Sequence, residues 1–178
     1  MATVRSNLGR YHGKLLKDCT EFVLAKFCPN LSHKISINYV GIGRLKQTEN
    51  ISADCCAIDR DYRGREFEIR IDKAMFRGTK NVVPLIETIM HELVHVKQCA
   101  LGEHYSMFHK ESGKIVWKWN GEIFDYDDLV GEVNEAYWEQ PWEVESFGRQ
   151  YGLMRMFFTQ NPHWADELRV NHNFYEGV

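Results

Sequence analysis

Residues 82–101, with the sequence VVPLIETIMHELVHVKQCAL, are the segment that decides the fold. Apolar side chains recur there at three- and four-residue steps, which predicts an amphipathic helix with one buried face. The apolar positions are Val82, Ile86, Ile89, Leu93, Val96 and Ala100. Asn81 is a suitable N-cap, Pro84 fits a first turn, and Gly102 stands where helices commonly end. We therefore expect a helix over about residues 82–101, packed by one face against a sheet.

The same helix contains the pattern His-Glu-x-x-His, at His91, Glu92 and His95. Four residues advance a helix by about 400°, so the two imidazoles stand one above the other and can share one zinc ion. Glu92 lies beside them, where a carboxylate can accept a proton from a metal-bound water. The pattern predicts a metal site with Glu92 as the catalytic base.

A catalytic zinc takes three protein ligands and keeps one open position, so a third ligand must come from elsewhere in the chain. Pro141 begins a second predicted helix, whose first turns carry Glu143 and Glu145. These two residues are about 200° apart around a helix, so only one of them can face the metal. Residue types and spacing leave both open.

The segments around this motif resemble a known class of enzyme. The run of residues 87–98, ETIMHELVHVKQ, and the later run of residues 137–148, YWEQPWEVESFG, look like zinc metallopeptidases of the gluzincin type, and in particular like small SprT-like or phage-encoded metallopeptidases. The resemblance covers about residues 35–151. It implies a zincin-like fold, a Zn²⁺ cofactor, and Glu143 as third ligand with Ser146 at the small position of an E-x-x-A pattern.

The resemblance also has departures and an alternative. Phe147 stands where some gluzincins place an aspartate that supports a ligand histidine, so that support must come from another residue. SprT-type enzymes take their third ligand from a histidine shortly after the helix, which here offers His104 or His109. Glu143 is the preferred ligand, with His104, His109 and Glu145 as alternatives.

The rest of the chain predicts one α+β domain over residues 1–178, with a small, mainly antiparallel sheet against the motif helix. Periodicity predicts helices over about residues 4–27 and 141–158, and alternation predicts strands over residues 34–45, 51–58 and 65–72. Asn120-Gly121 is a strong turn signal and predicts a hairpin over residues 114–124. In zincin-like folds an edge strand above the metal pairs with an extended peptide, a role we expect for residues 65–72.

Composition excludes several classes of protein. With 44% hydrophobic and 26% charged residues and a net charge of -3, the chain is neither disordered nor a disulfide scaffold. It contains no apolar run that could cross a membrane, and its start lacks a secretory signal, so we expect a cytoplasmic protein, in the host cytoplasm if phage-encoded. The five cysteines form no C-x-x-C pair and indicate reduced thiols.

Charge is distributed unequally along the chain. Residues 1–80 carry a net charge of +6 and residues 81–178 a net charge of -9. The basic half supports nucleic-acid binding only weakly, because its charges are scattered. The sequence therefore predicts a zinc metalloendopeptidase that acts on peptides or proteins, and favours basic or neutral ones. The alternative is a zinc-binding regulatory or DNA-associated SprT-like protein with restricted protease activity.

The negative charge that develops on the substrate's carbonyl oxygen in the transition state needs a hydrogen-bond donor near the open metal position. The sequence offers four candidates that it does not rank: His104, Tyr105, Tyr126 and Tyr137.

Overall fold

A computed structural model describes residues 1–49, 51–59, 62–77, 82–125 and 135–168, which form a mixed α+β fold with two β-sheets. The strands are β1 (Thr3–Ser6), β2 (Ser36–Ile42), β3 (Ala53–Ala57), β4 (Glu66–Asp72), β5 (His104–His109), β6 (Lys114–Trp119) and β7 (Glu122–Asp125). The helices are α1 (Gly9–Phe27), α2 (Leu45–Glu49), α3 (Val82–Leu101), α4 (Glu135–Glu139), α5 (Pro141–Gln160) and α6 (Pro162–Glu167). The predicted α+β class is confirmed.

The first sheet has the strand order β1-β2-β4-β3. The pairs β1–β2 and β2–β4 are parallel, and only β3–β4 is antiparallel. The prediction of a mainly antiparallel sheet is therefore wrong for the sheet that packs against α3. The physical reason is that the chain returns along the sheet between successive parallel strands, through the helix α1 between β1 and β2 and through the strand β3 between β2 and β4.

The N-terminal segment also differs from expectation. Residues 3–6 form β1 rather than the start of the first helix, which begins at Gly9. The backbone of Gly9 has a φ of 83°, a left-handed conformation that glycine adopts without strain and that separates the strand from the helix. Val4 and Leu8 fit the helical spacing, which is why periodicity merges the two elements.

The core lies between one face of the first sheet and the helices α1 and α3. Alternate residues of the two central strands are buried, among them Ile37, Tyr39, Phe67, Ile69 and Ile71. The outer face of the same strands carries Asn38, Glu68 and Arg70, as the period of two requires. The helix α5 packs against α3, and Trp164 of α6 closes the core beside α1.

The second sheet is an antiparallel meander in the order β5-β6-β7. The predicted turn at Asn120-Gly121 joins β6 to β7, and both residues have positive φ angles of 48° and 91°. The hairpin is thus confirmed, and β5 adds a third strand that the sequence analysis did not predict. Gly102, with a φ of 75°, ends α3 as expected and turns the chain into β5.

None of the described helices is both long and apolar enough to cross a lipid bilayer. Asn81, predicted as the N-cap of α3, lies outside the described residues, as does Tyr126.

Candidate metal centre

Three side chains predicted as metal ligands meet where α5 packs against α3. His91 and His95 lie on successive turns of α3, with their Nε2 atoms 3.1 Å apart. Glu143, on the first turn of α5, places Oε2 at 3.2 Å from His91 Nε2 and Oε1 at 3.4 Å from His95 Nε2. His91 and Glu143 are buried, and the side chain of His95 is 14% exposed. The structure brings together the two histidines expected from the motif and the glutamate implied by the resemblance, as a group that could hold a metal ion.

The spacing of these atoms fits a single metal ion. Ligands about 2.0–2.1 Å from a tetrahedral zinc stand ~3.3 Å apart, close to the 3.1–3.4 Å observed. Two imidazoles and a carboxylate are also a common donor set for transition metals, and these residues form a cluster that can hold an ion.

Hydrogen bonds on the far side of each imidazole fix its tautomer. His91 Nδ1 lies 2.8 Å from Gln150 Oε1, and His95 Nδ1 lies 2.9 Å from Gln98 Oε1. Since an amide oxygen only accepts, both Nδ1 atoms must carry the hydrogen. In the neutral rings, therefore, both Nε2 atoms direct a lone pair toward Glu143 and toward each other.

The orientation of the two glutamine amides is itself fixed by other acceptors. The amide nitrogen of Gln150 donates to Glu87 at 3.0 Å. The amide nitrogen of Gln98 donates to the carbonyl of Trp142 at 2.9 Å and to Glu145 at 3.1 Å. These contacts leave only the amide oxygens for the histidines. A proton or a cation must then lie among the converging Nε2 lone pairs and the Glu143 carboxylate.

The electrostatics of the site agree with this requirement. Burial raises the pKa of Glu143, but the two neighbouring histidines outweigh it and hold that pKa at about 2. For His95, burial lowers the pKa, and the hydrogen bond and charge of Glu143 more than offset this and raise it. Oε2 of Glu143 is nevertheless buried without a hydrogen bond in the described part of the chain. These groups together favour a positive charge between the two Nε2 atoms and the Glu143 carboxylate.

Glu92 lies beside the cluster and lines the cleft above it. The residue is only 5% exposed, and burial raises the pKa of its carboxyl to about 7. A carboxyl with a pKa near neutrality can both accept and return a proton at physiological pH, which is the requirement for a general base. The geometry places Glu92 on the same side of α3 as the proposed ligands, as the pattern predicts.

The alternative third ligands lie elsewhere. Glu145 pairs with Lys97 at 2.8 Å and Arg149 at 2.7 Å, and orients Gln98 from behind the site. His109 sits at the β5–β6 turn, where its Nδ1 contacts the hydroxyl of Ser112. The predicted separation of Glu143 from Glu145 around α5 therefore holds, and only Glu143 faces the histidines.

His104 lines the cleft without joining the ligand cluster. Its ring stacks on Trp142, with centroids 4.3 Å apart, and on Trp117 at 5.0 Å. Burial lowers its pKa to about 4, so the ring is neutral at physiological pH. Its Nε2 is buried without a hydrogen bond to the described residues, and is thus available to a bound molecule.

Of the other candidate donors, Tyr137 is the nearest to the cluster. It lines the cleft and hydrogen-bonds to Glu143, and its pKa is raised by burial and by the charge of that carboxylate. Tyr105 also lines the cleft, where its ring packs edge-on against Tyr62 at 4.4 Å.

The residues that support the histidines were missed by the sequence analysis. Phe147, which stands where some gluzincins have a supporting aspartate, packs on the His91 ring with the ring centroids 4.5 Å apart. The hydrogen bond to His91 Nδ1 comes instead from Gln150. A signal was present, since Gln150 follows Glu143 by seven residues and so shares its face of α5. Gln98 likewise follows His95 by three residues on α3.

A cleft of about 920 Å³ opens above the cluster, between the first and second sheets. Its lining includes the side chains of His91, Glu92, His95 and Glu143, the strand β3, and the strand β5 with Trp117 and Ile115 of β6. The lining contains no lysine or arginine among the described residues.

The prediction that residues 65–72 form the edge strand beside the metal is wrong. β4 lies inside the first sheet, between β2 and β3, so it has no free edge. The strand at the edge beside the cluster is β3. Alternation alone does not distinguish an interior strand from an edge strand, which explains the error.

Comparison of the chain with protein-family models, with curated proteins and with solved structures gave no match.

Proposed function

We propose that the chain is a zinc-dependent metalloendopeptidase. The observation that carries this proposal is the convergence of His91, His95 and Glu143 at 3.1–3.4 Å, beside the buried carboxyl of Glu92, on the floor of an open cleft. A structural metal site is closed by four protein ligands, whereas here three ligands face a cleft large enough for a substrate. The arrangement therefore favours catalysis over a purely structural role.

Zinc is the metal that this donor set suits best. Histidine nitrogen and carboxylate oxygen both bind Zn²⁺ at about 2.0–2.2 Å, and two histidines with one glutamate are a known catalytic set. The glutamine contacts keep each imidazole in the tautomer that presents Nε2 to the ion. We propose Zn²⁺ as the cofactor on this chemistry.

The chain's own residues supply the proton transfers. A zinc ion held by His91, His95 and Glu143 would supply Lewis-acid chemistry, polarising a substrate carbonyl and lowering the pKa of a bound water to about 7. Glu92 accepts the proton of the attacking water and returns it to the amine that leaves. Tyr137 and His104 both line the cleft, and Nε2 of His104 has no hydrogen-bond partner among the described residues, which supports either residue as the donor to the oxygen that becomes negative.

A peptide is the substrate class that the cleft supports best. The strand β3 ends the first sheet and lines the cleft along its whole length. An exposed strand edge binds an extended peptide through main-chain hydrogen bonds. The absence of lysine and arginine from the described lining favours neutral or basic peptides, and does not favour the phosphates of a nucleic acid.

We also propose that the chain has a zincin-like fold. This part of the proposal rests on the resemblance of its sequence to gluzincins, and to SprT-like or phage-encoded metallopeptidases. The five cysteines are free thiols, which supports a reducing compartment such as the cytoplasm.

The decisive experiment compares Glu92→Gln with the wild-type protein. We expect Glu92→Gln to bind one zinc per chain and to lose about 10²–10⁴-fold in the rate of cleavage of unfolded casein, because the amide cannot accept the proton. Glu139→Gln, which makes the same change at an exposed position, is the matched control and should keep full activity. Equal rates for Glu92→Gln and the wild type would disprove the mechanism.

A further inference from the structure

Two strand edges that pair with no other strand among the described residues line the cleft. The lining includes every residue of 53–57 on β3 and every residue of 104–108 on β5. A sheet that turned its face to the cleft would contribute only alternate residues, because successive side chains point to opposite faces. Consecutive residues are what a strand edge contributes, and β3 and β5 are indeed terminal strands of their sheets.

The hydrogen bonds of β3 show which of its backbone groups are free. Asp72 donates its amide to the Ser52 carbonyl, and Ile58 donates its amide to the Glu66 carbonyl. Paired residues in an antiparallel ladder alternate between bonded and non-bonded, so the even-numbered residues of β3 bond to β4. The backbone groups of Ala53, Cys55 and Ala57 consequently point away from β4, toward the cleft.

The same reasoning applies to β5. Asn120 donates its amide to the Glu103 carbonyl, and this pair lies two residues along the ladder from the pair of Tyr105 and Lys118. The odd-numbered residues of β5 therefore bond to β6. His104, Ser106 and Phe108 direct their amides and carbonyls to the opposite side, where they also line the cleft.

We propose that the substrate main chain lies in the cleft as an extended strand that hydrogen-bonds to both edges, β3 on one side and β5 on the other. This inference rests on the proposed peptidase function and names its substrate class: an unfolded segment of about five residues, recognised through its backbone. Successive amides of a strand point to opposite sides, so a segment between two edges uses every amide, whereas a segment on one edge uses every second amide.

The wall behind β5 suits the side chains of such a segment. Phe108 pairs with Ile115 across the β5–β6 ladder, and Ser106 pairs with Trp117, so these residues share one face. Phe108 and Ile115 are 60% and 54% exposed, which is high for large apolar side chains that line a cleft. They provide apolar surface for varied side chains, while the specificity for an extended chain comes from the two edges.

An ester scan tests the proposal without altering the protein. A decapeptide that spans a cleavage site in unfolded casein is made with one amide N–H at a time replaced by an ester oxygen, over five consecutive residues. Binding to the zinc-loaded Glu92→Gln protein is measured by fluorescence anisotropy. We expect the dissociation constant to rise about fivefold at each of the five positions, which is the effect of one lost hydrogen bond.

The pattern of losses separates the possible outcomes. Losses at every second position only would show that a single edge is used, which would overturn the two-edge proposal and leave the peptidase function intact. No loss at any position would also overturn it. If the wild-type protein cleaves no casein, the proposed function fails and this inference fails with it.

A pair of proline variants tests the β5 edge directly. Ser106→Pro removes an amide hydrogen that points into the cleft and is not used in the β5–β6 ladder. Ile123→Pro is its matched control, because Ile123 pairs with Lys118, whose backbone bonds to β5, so the Ile123 amide points outward at the opposite edge of the sheet.

We expect Ser106→Pro to weaken peptide binding at least fivefold, and Ile123→Pro to leave it within twofold of the unsubstituted protein. Both variants should keep the zinc content and thermal midpoint of the parent protein. Unchanged binding by a folded Ser106→Pro variant would refute the proposal. The ester scan decides the question where that variant fails to fold.

Discussion

The support of His91 by Gln150 leads to a quantitative prediction about metal affinity. The Gln150→Met substitution keeps the length of the side chain but removes the acceptor that lies 2.8 Å from His91 Nδ1. The ring then loses the contact that fixes its tautomer and orientation. Loss of such a contact typically reduces metal affinity 10–100-fold, equivalent to about 1.4–2.7 kcal/mol.

The assay is a zinc titration in competition with a chelating dye, at constant pH. Gln160→Met is the matched control, because Gln160 ends the same helix with an exposed side chain far along the chain from the site. We expect the zinc affinity of Gln160→Met to equal that of the wild type. The reasoning would be refuted if Gln150→Met bound zinc within twofold of the wild-type affinity, or if Gln160→Met lost as much.

Three other predictions concern the ligand set, the core and the acid limit of stability. Glu143→Ala removes a proposed ligand and should lower zinc affinity by more than Gln150→Met, over about 100-fold in the same titration; an unchanged affinity would exclude Glu143 as a ligand. Trp164→Ala removes a fully buried ring whose Nε1 donates to Asp18 at 2.9 Å, and should cost about 3–5 kcal/mol in urea unfolding; a loss below about 1 kcal/mol would contradict the packing described. Asp72 accepts hydrogen bonds from the amides of Lys46 and Ala74, which lower its pKa, so its stabilising effect is complete above the unfolded pKa of about 3.9 and is lost as pH falls through the lower folded value. The stability difference between wild type and Asp72→Asn should therefore shrink between about pH 5 and pH 2, and a constant difference would contradict this account.

Local patterns predicted the parts of the fold that depend on neighbouring residues. The ends of α3 at Val82 and Leu101, the hairpin turn at Asn120-Gly121 and the start of α5 at Pro141 agree with the structure. Each of these features depends on the conformational preference of a few adjacent residues, which the sequence states directly. The proximity of His91 and His95 likewise follows from helical geometry, whereas the choice of Glu143 over Glu145 came from the resemblance and not from spacing.

The same patterns do not predict the direction of a strand or which strands lie next to it in the sheet. The alternation in β4 shows that one face is buried, but it is the same for parallel and antiparallel strands and for edge and interior ones. The short strand β5 carries apolar and polar residues without clear alternation, and both its edge and one of its faces meet the cleft. Gln98 and Gln150 are ordinary polar residues until the packing of α5 on α3 brings them to the histidines.

The position of the ligand cluster has a consequence for folding. His95 lies on α3 and Glu143 on α5, and the chain between them, residues 96–142, contains the whole second sheet. An ion bound to both helices would close this long segment into a loop and restrict the unfolded chain, much as a cross-link does. Metal binding would then add its free energy to the stability of the folded protein. A chelator should therefore lower the melting temperature as well as the activity, and the cleft wall formed by β5 should be the first part to loosen.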